Sequence, residues 1–397
     1  MFLEYLAWGY QMTGQAQTGI RILEESLASD EAREDLFTAR MLLGLVIIYY
    51  LSGDLRLQEQ MALRLLKLSP EKPLALSRTW AHSFSGQACY QQNRLEEAAT
   101  HFSAVTEHPY LGNAAASQAC MLSLALTYQA QGRPEAATQV AEQSLGFALE
   151  IRQPVQMVEA RAFQARLALL QGDLAAALRW AQVVTSEELP ARTLFPEVPR
   201  VTLARVLIAQ GTRDSLQKAS QILEEMVGIA RGVHSTPHII ELLALQALVY
   251  DAQGDGAKAL DLLRQSLELA QPGGSLRVFV DLGPAMIPLL SRLTKLKSES
   301  NYVRRILAAF APSPLRRDAQ RPDQTAEGEI IESLTNREHE ILELLARRLS
   351  DKEIAQALHI SPHTVRKHTS NLYGKLQVAS RRQAVRKAIA LGILPPQ

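Results

Sequence analysis

Tyr128-Gln129-Ala130-Gln131-Gly132-Arg133-Pro134-Glu135-Ala136-Ala137 holds a complete helix-hairpin corner in ten residues. Glycine can close a helix by turning left-handed without steric cost, so Gly132 ends one helix. Ala137, five residues on, is small enough to let a second helix lie close to the first. Tyr128, four residues before the turn, plugs the first helix against the next. The corner recurs along the chain. Polar turn sites stand at Gly14-Gln15, Gly53-Asp54, Asn93-Arg94, Gly132-Arg133, Gly172-Asp173, Gly211-Thr212 and Gly254-Asp255, spaced 39, 40, 39, 40, 39 and 43 residues apart. Five residues after each lies Gly19, Gln58, Ala98, Ala137, Ala177, Leu216 or Ala259, five of them small. Tyr10, Tyr49 and Tyr250 repeat the position of Tyr128. No stretch alternates as a strand would. The pattern predicts an all-α helix-hairpin solenoid over residues 1–270, with a period near forty. Such a body offers a long curved surface to a peptide, a protein or a small ligand. Its Tyr and Ala positions are read as packing.

The period breaks after Gln271-Pro272-Gly273-Gly274. Residues 271–310, with Arg277-Val278-Phe279-Val280-Asp281-Leu282-Gly283-Pro284 and Tyr302 to Phe310, read as two or so helices capping the solenoid's apolar end. Residues 311–333 carry Pro312, Pro314, Pro322 and Gly328 among polar residues, the composition of a flexible linker.

Residues 334–397 hold four helix starts in a row. Thr335 with Glu338, Ser350 with Glu353 and Ser380 with Gln383 are capping boxes, in which a hydroxyl takes an orphan helix N–H while the acid or amide reaches back. Ser361-Pro362 is a fourth start. Helices are therefore expected near 335–348, 351–358, 362–376 and 380–391. His359-Ile360-Ser361 is short enough to force a sharp turn between the second and third helices, which is helix-turn-helix geometry. Ile354, Ala355, Leu358 and Ile360 would point inward, with Val365, Leu372 and Leu376 from the third helix. His363, Arg366, Lys367, Ser370 and Gly374 are left on the outer face. Adjacent Arg and Lys on such a face can donate to guanine O6 and N7 in the major groove. Thr364 in the first turn can bond a phosphate. Charge agrees with a duplex-DNA partner: residues 334–397 carry eleven Lys and Arg against five acids, so they are +6 and the rest of the chain is −5.

Leu334-Thr335-x-Arg337-Glu338, Ser350-Asp351-Lys352-Glu353-Ile354-Ala355, Ile360 through His368 and Lys375-Leu376-x-Val378-x-Ser380-Arg381 together resemble the LuxR-type helix-turn-helix over about residues 334–392. The resemblance implies that Arg366, Lys367 and Ser370 read bases and that Thr364, Lys352 and Arg381 lie at or near backbone-contacting positions. It also implies dimerisation on DNA through Val385, Ala388 and Ile389. The sequence departs from the family at Arg348 and Gln377, where glycine is usual, and small backbone adjustments are expected there. The solenoid resembles tetratricopeptide-like (TPR-like) repeats. With the segment Arg277–Pro284 and the LuxR-type end, it is similar to the C-terminal half of the large ATP-binding LuxR regulators of the maltose-activator type. That resemblance implies that the solenoid receives an inducer or an inhibitory partner. No Gly-x-x-x-x-Gly-Lys-[Ser/Thr] loop is present. Met1 to Thr13 has no helix before it, and Phe2, Leu3, Leu6 and Trp8 are apolar where a solenoid end carries a polar cap. A fragment of a longer regulator is expected, or a second chain covering that end.

The expected architecture is a TPR-like solenoid followed by a four-helix LuxR-type domain. The expected function is a DNA-binding transcription regulator sensing a small-molecule or protein effector. A TPR-like adaptor with a protein-docking terminus is the alternative, and a sigma-factor-like promoter reader lacks a separate polymerase-binding domain. Cys89 and Cys120 are too few for a zinc ribbon or a disulfide scaffold. His82, His101, His108, His234 and His238 are scattered, and neither a Ser-His-Asp set nor paired carboxylates stand out, so no catalysis, metal or cofactor is expected. Met41–Leu51 is apolar but too short to cross a bilayer, and no basic leader precedes it, so a cytoplasmic protein is expected.

Overall fold

The computed structural model describes residues 3–28, 35–68, 75–185, 189, 197–294, 301–310, 336–346, 349–358 and 381–390, with 365, 369, 372 and 378. It divides into two compact units, 1–320 and 321–397. Every regular element among the described residues is a helix.

The first unit begins with helix hairpins. Leading helices are α1 (Leu3–Met12), α3 (Asp35–Ser52), α5 (Ala75–Gln91), α7 (Ala114–Ala130), α9 (Pro154–Leu170), α11 (Pro199–Gln210) and α13 (Thr236–Ala252). Returning helices are α2 (Ala16–Leu27), α4 (Leu55–Leu66), α6 (Leu95–Thr106), α8 (Pro134–Glu150), α10 (Leu174–Gln182), α12 (Arg213–Gly232) and α14 (Gly256–Ala270). Leading helices such as α7 and α13 are buried on nearly all sides, because they sit between two neighbours and the interior. The returning helices α12 and α14 bury a single stripe and show their charged face to water.

All seven expected turn residues have positive φ, from 63° at Asn93 to 88° at Gly254. The tyrosines four residues earlier take part through their backbones. Gln15, Asp54, Arg133 and Asp255 donate their N–H groups to the carbonyls of Tyr10, Tyr49, Tyr128 and Tyr250, which satisfies the orphan carbonyls at each helix end. Asp54, Thr212, Asp173 and Asp255 then cap the returning helices by accepting from backbone N–H groups three residues on. The small residues mark close approach: Ala98, Ala137, Ala177 and Ala259 have no exposed surface. A Cβ on Gly19 would lie 2.7 Å from the Ala7 carbonyl oxygen.

Three more helices, α15 (Arg277–Val280), α16 (Met286–Thr294) and α17 (Asn301–Ala309), follow the last hairpin. Phe279, Met286, Leu289, Leu290, Leu293, Tyr302 and Ile306 join Ala259, Leu263 and Leu267 of α14 in one apolar cluster. The expected linker, 311–333, lies outside the described residues.

The second unit contains α18 (Asn336–Ala346), α19 (Asp351–Ala357) and α20 (Arg381–Ala390). Ile341, Leu342, Leu345, Ile354, Ala355, Val365, Leu372, Ala384 and Ala388 form its core, including Ile354, Ala355, Val365 and Leu372 that helical spacing places inward. The Ser350–Glu353 capping box is present, with Ser350 N–H donating to Glu353 Oε2 at 2.7 Å and the Ser350 hydroxyl accepting from the Glu353 N–H. Thr335, Ser361 and Ser380, the caps expected at the other helix starts, lie outside the described residues, as do Arg348 and Gln377.

Candidate functional site

In the second unit, Lys352 stands exposed on the first turn of α19. Arg381, half-buried at the start of α20, donates from Nε and Nη2 to the Leu345 carbonyl oxygen at 3.1 and 2.7 Å. That carbonyl belongs to the last turn of α18, where helix carbonyls lack internal partners. Arg381 therefore closes α18 and ties it to α20. Ala388 is fully buried in the core of its own unit, and Val385 and Ile389 pack half-buried against the same cluster. His363, Thr364, Arg366, Lys367 and Ser370 lie outside the described residues.

In the first unit, the leading helices α3 to α13, with α4, α6 and α15, line a partly open cavity of about 100 Å³. Its wall carries Tyr50, Gln58, Gln87, Tyr90, Arg166, Arg205, His238, Glu241 and Asp281. Such side chains are costly to bury unless paired. Arg166 on α9 reaches Glu197 at 3.2 Å, and Thr202 donates its hydroxyl to the same carboxylate. Arg205 on α11 pairs with Glu241 on α13. Burial pushes the Glu241 carboxyl upward, but the Arg205 and Arg166 guanidiniums outweigh it and hold it below the usual carboxylate range. Burial and the neighbouring Arg166 charge hold Arg205 below the ordinary arginine value. His238 shares a 2.8 Å hydrogen bond with Ser235 and stands edge-on to the Tyr50 ring. Gln58 gives its amide N–H to the Phe84 carbonyl at 2.7 Å. Its Oε1 and that of Gln87 are buried and have no hydrogen-bond partner among the described residues.

Most of the wall's charge is thus neutralised by near neighbours, and the buried acceptors left over include the Gln58 and Gln87 amide oxygens. The cavity is suited to a small polar guest that brings hydrogen-bond donors. Sequence reading did not find it. The available signal was polar and charged residues, Arg166, Arg205, His238 and Glu241, set inside otherwise apolar leading helices.

Elsewhere, Glu59, Cys89 and Glu97 bring their ligand atoms within 4.8 Å of one another. Arg94 fills the gap, 2.5 Å from Glu59 and 2.8 Å from Glu97, so the carboxylates already hold a cation. Burial first, and then the Glu59 charge, push the Cys89 thiol up to about 12, far from a reactive thiolate.

Residues 2–296 match the family described as the MalT-like TPR region. The chain belongs to this family. Within this MalT-like chain, residues 332–388 also match the bacterial regulatory proteins of the luxR family. Two curated relatives are the HTH-type transcriptional regulators MalT of Klebsiella pneumoniae subsp. pneumoniae and of Klebsiella pneumoniae strain 342. Each is 29% identical over 236 residues, covering 55% of this chain and 25% of the relative. The match therefore spans a quarter of either relative's length. Among solved structures, the apo form of RapI is 13% identical with a TM-score of 0.47, over 68% of this chain and 98% of that one. No described helix is long and apolar enough to cross a membrane.

Proposed function

We propose that this MalT-like chain is a transcription regulator in which the LuxR-family unit binds duplex DNA and the solenoid cavity receives the effector that controls it. The observation that carries the DNA half is the match of residues 332–388 to the luxR family on a segment of charge +6, attached to a body of charge −5. Arg366, Lys367, Ser370 and His363 contact the bases, and Thr364 and Lys352 hold phosphates. Arg381, which also ties α18 to α20 through the Leu345 carbonyl, contacts the DNA backbone. The unit binds a paired half-site as a homodimer, with Val385 and Ile389 the apolar residues of α20 left partly open to a partner. In this reading the protein works in the cytoplasm, which the lack of a membrane-crossing helix among the described residues supports.

The effector half rests on the cavity. A wall that neutralises most of its own charges and leaves buried amide acceptors is organised to bind something polar. Fluorescence anisotropy of the full chain on duplex DNA across a salt series tests the DNA half. The logarithm of affinity should fall linearly and steeply with the logarithm of salt, as phosphate contacts require. A flat response would reject it and favour the adaptor reading.

A further inference from the structure

The two ends of the solenoid meet. Gln11 of α1 donates its side-chain amide to the His234 carbonyl at 3.1 Å, across 223 residues of sequence. The turn at Gly53 lies against Thr236 and Gly273, where a Cβ on Gly273 would collide with the Gly53 carbonyl oxygen. The third contact is the richest. The Gln91 carbonyl, at the C-terminal end of α5, accepts from the Leu276 N–H at 2.6 Å. The Gln91 side-chain oxygen accepts from the Val278 N–H at 3.1 Å. Two amides at the start of α15 are thus satisfied by Gln91, the last residue of a helix almost two hundred residues earlier. Beside it the Tyr90 hydroxyl donates to Asp281 at 2.7 Å, Asp281 pairs with Arg277, and the Arg277 guanidinium lies 5.4 Å from the centre of the Tyr90 ring.

This seam differs in kind from the packing around it. The apolar cluster holding α3, α4 and the start of α5 and the cluster holding α13 to α17 share no residue, and the one around α7 stops at Leu170. The contacts across it are hydrogen bonds, the Arg277–Tyr90 and Tyr50–His238 ring contacts, and glycine contacts. Polar groups that part can be taken up by water, whereas parted apolar faces cannot. The seam also forms one side of the cavity, since Gly53, Tyr90, Gln91, Ser275, Val278 and Asp281 all line it.

We infer that the seam between Tyr90-Gln91 and Leu276–Asp281 is a clasp, and that its opening admits the guest to the cavity. The clasp rests on the effector reading but governs access, not recognition: Tyr90, Gln91, Arg277 and Asp281 set how fast the cavity fills and empties.

The test uses the full chain and a probe that needs no effector. Ser123, nearly buried on the cavity wall, is replaced (Ser123→Cys) and its labelling by N-ethylmaleimide is timed by mass spectrometry, with the buried Cys89 and Cys120 as internal references. Adding Tyr90→Phe or Gln91→Ala should speed labelling of position 123 about tenfold, the effect of losing one buried hydrogen bond at the gate. Cys89 and Cys120 should keep their rates, and amide exchange of 275–282 should rise in step. Faster exchange at 275–282 with unchanged labelling at 123 would overturn the clasp. So would equal acceleration of all three thiols, because the variants would then loosen the whole ring. Neither result bears on whether an effector shifts DNA affinity, so the effector reading stands or falls separately.

Discussion

Arg381 spans from the start of α20 to the end of α18, where its Nη2 lies 2.7 Å from the Leu345 carbonyl oxygen. One guanidinium thereby ties together the first and last described helices of the unit. Arg381→Ala removes a charge-assisted bond worth about 1–3 kcal/mol. Peptides covering 336–346 and 381–390 should lose amide-exchange protection by about tenfold or more. Arg381→Lys, with no fork to donate twice, should recover part of the protection. Unchanged exchange in the alanine variant would show that the bond contributes nothing.

Gly19→Ala tests the close approach between α1 and α2. The added Cβ would lie 2.7 Å from a backbone oxygen, which cannot swing aside as a side chain can. A loss of about 1–3 kcal/mol is expected, read as a lower urea midpoint for the first unit.

The corner itself was open to sequence reading. Gly132 and its counterparts announce left-handed turns because few other residues adopt them cheaply, and Ala137 and Ala177 announce close helix approach because larger side chains would not fit. The clasp and the cavity were not legible. Tyr90 and Asp281 meet across 191 residues, and whether they meet depends on the small rotation each hairpin adds to the last. No local pattern encodes that sum. Arg381 shows a different limit. The family resemblance implies a place at or near the DNA backbone, and only the nearby Leu345 carbonyl reveals a second role inside the unit.

His82 and His101 face each other with their Nδ1 atoms 3.2 Å apart. One ring must donate and the other accept, so they cannot both carry two protons. Burial first, then the His101 and Arg78 charges, bring His82 down from 6.5 to about 4. The folded state thus binds this proton less readily than the unfolded chain. The pair's contribution to stability is complete above pH 6.5 and is lost as pH falls from there towards 4. Urea midpoints across that window should show the decline, and His82→Gln should flatten it.

Arg205→Met leaves the Glu241 carboxylate on the cavity wall without its main partner. A cost of about 1–3 kcal/mol is expected, less than for a fully enclosed pair because the Glu241 side chain keeps some exposure. Arg205→Met with Glu241→Leu should recover most of it in thermal melts. An equal or larger loss in the double variant would show that the pair is needed as charge, not merely tolerated.

The central claim is that the terminal unit reads duplex DNA through Arg366 and Lys367. It is tested most directly by comparing the affinity of the full chain for a selected duplex and for a scrambled one, in the parent and in Arg366→Ala and Lys367→Ala variants, at one fixed salt concentration. The parent should prefer the selected duplex, and each variant should lose about 1–3 kcal/mol of that preference while keeping its amide-exchange pattern. Parent-like preference in both variants would contradict it.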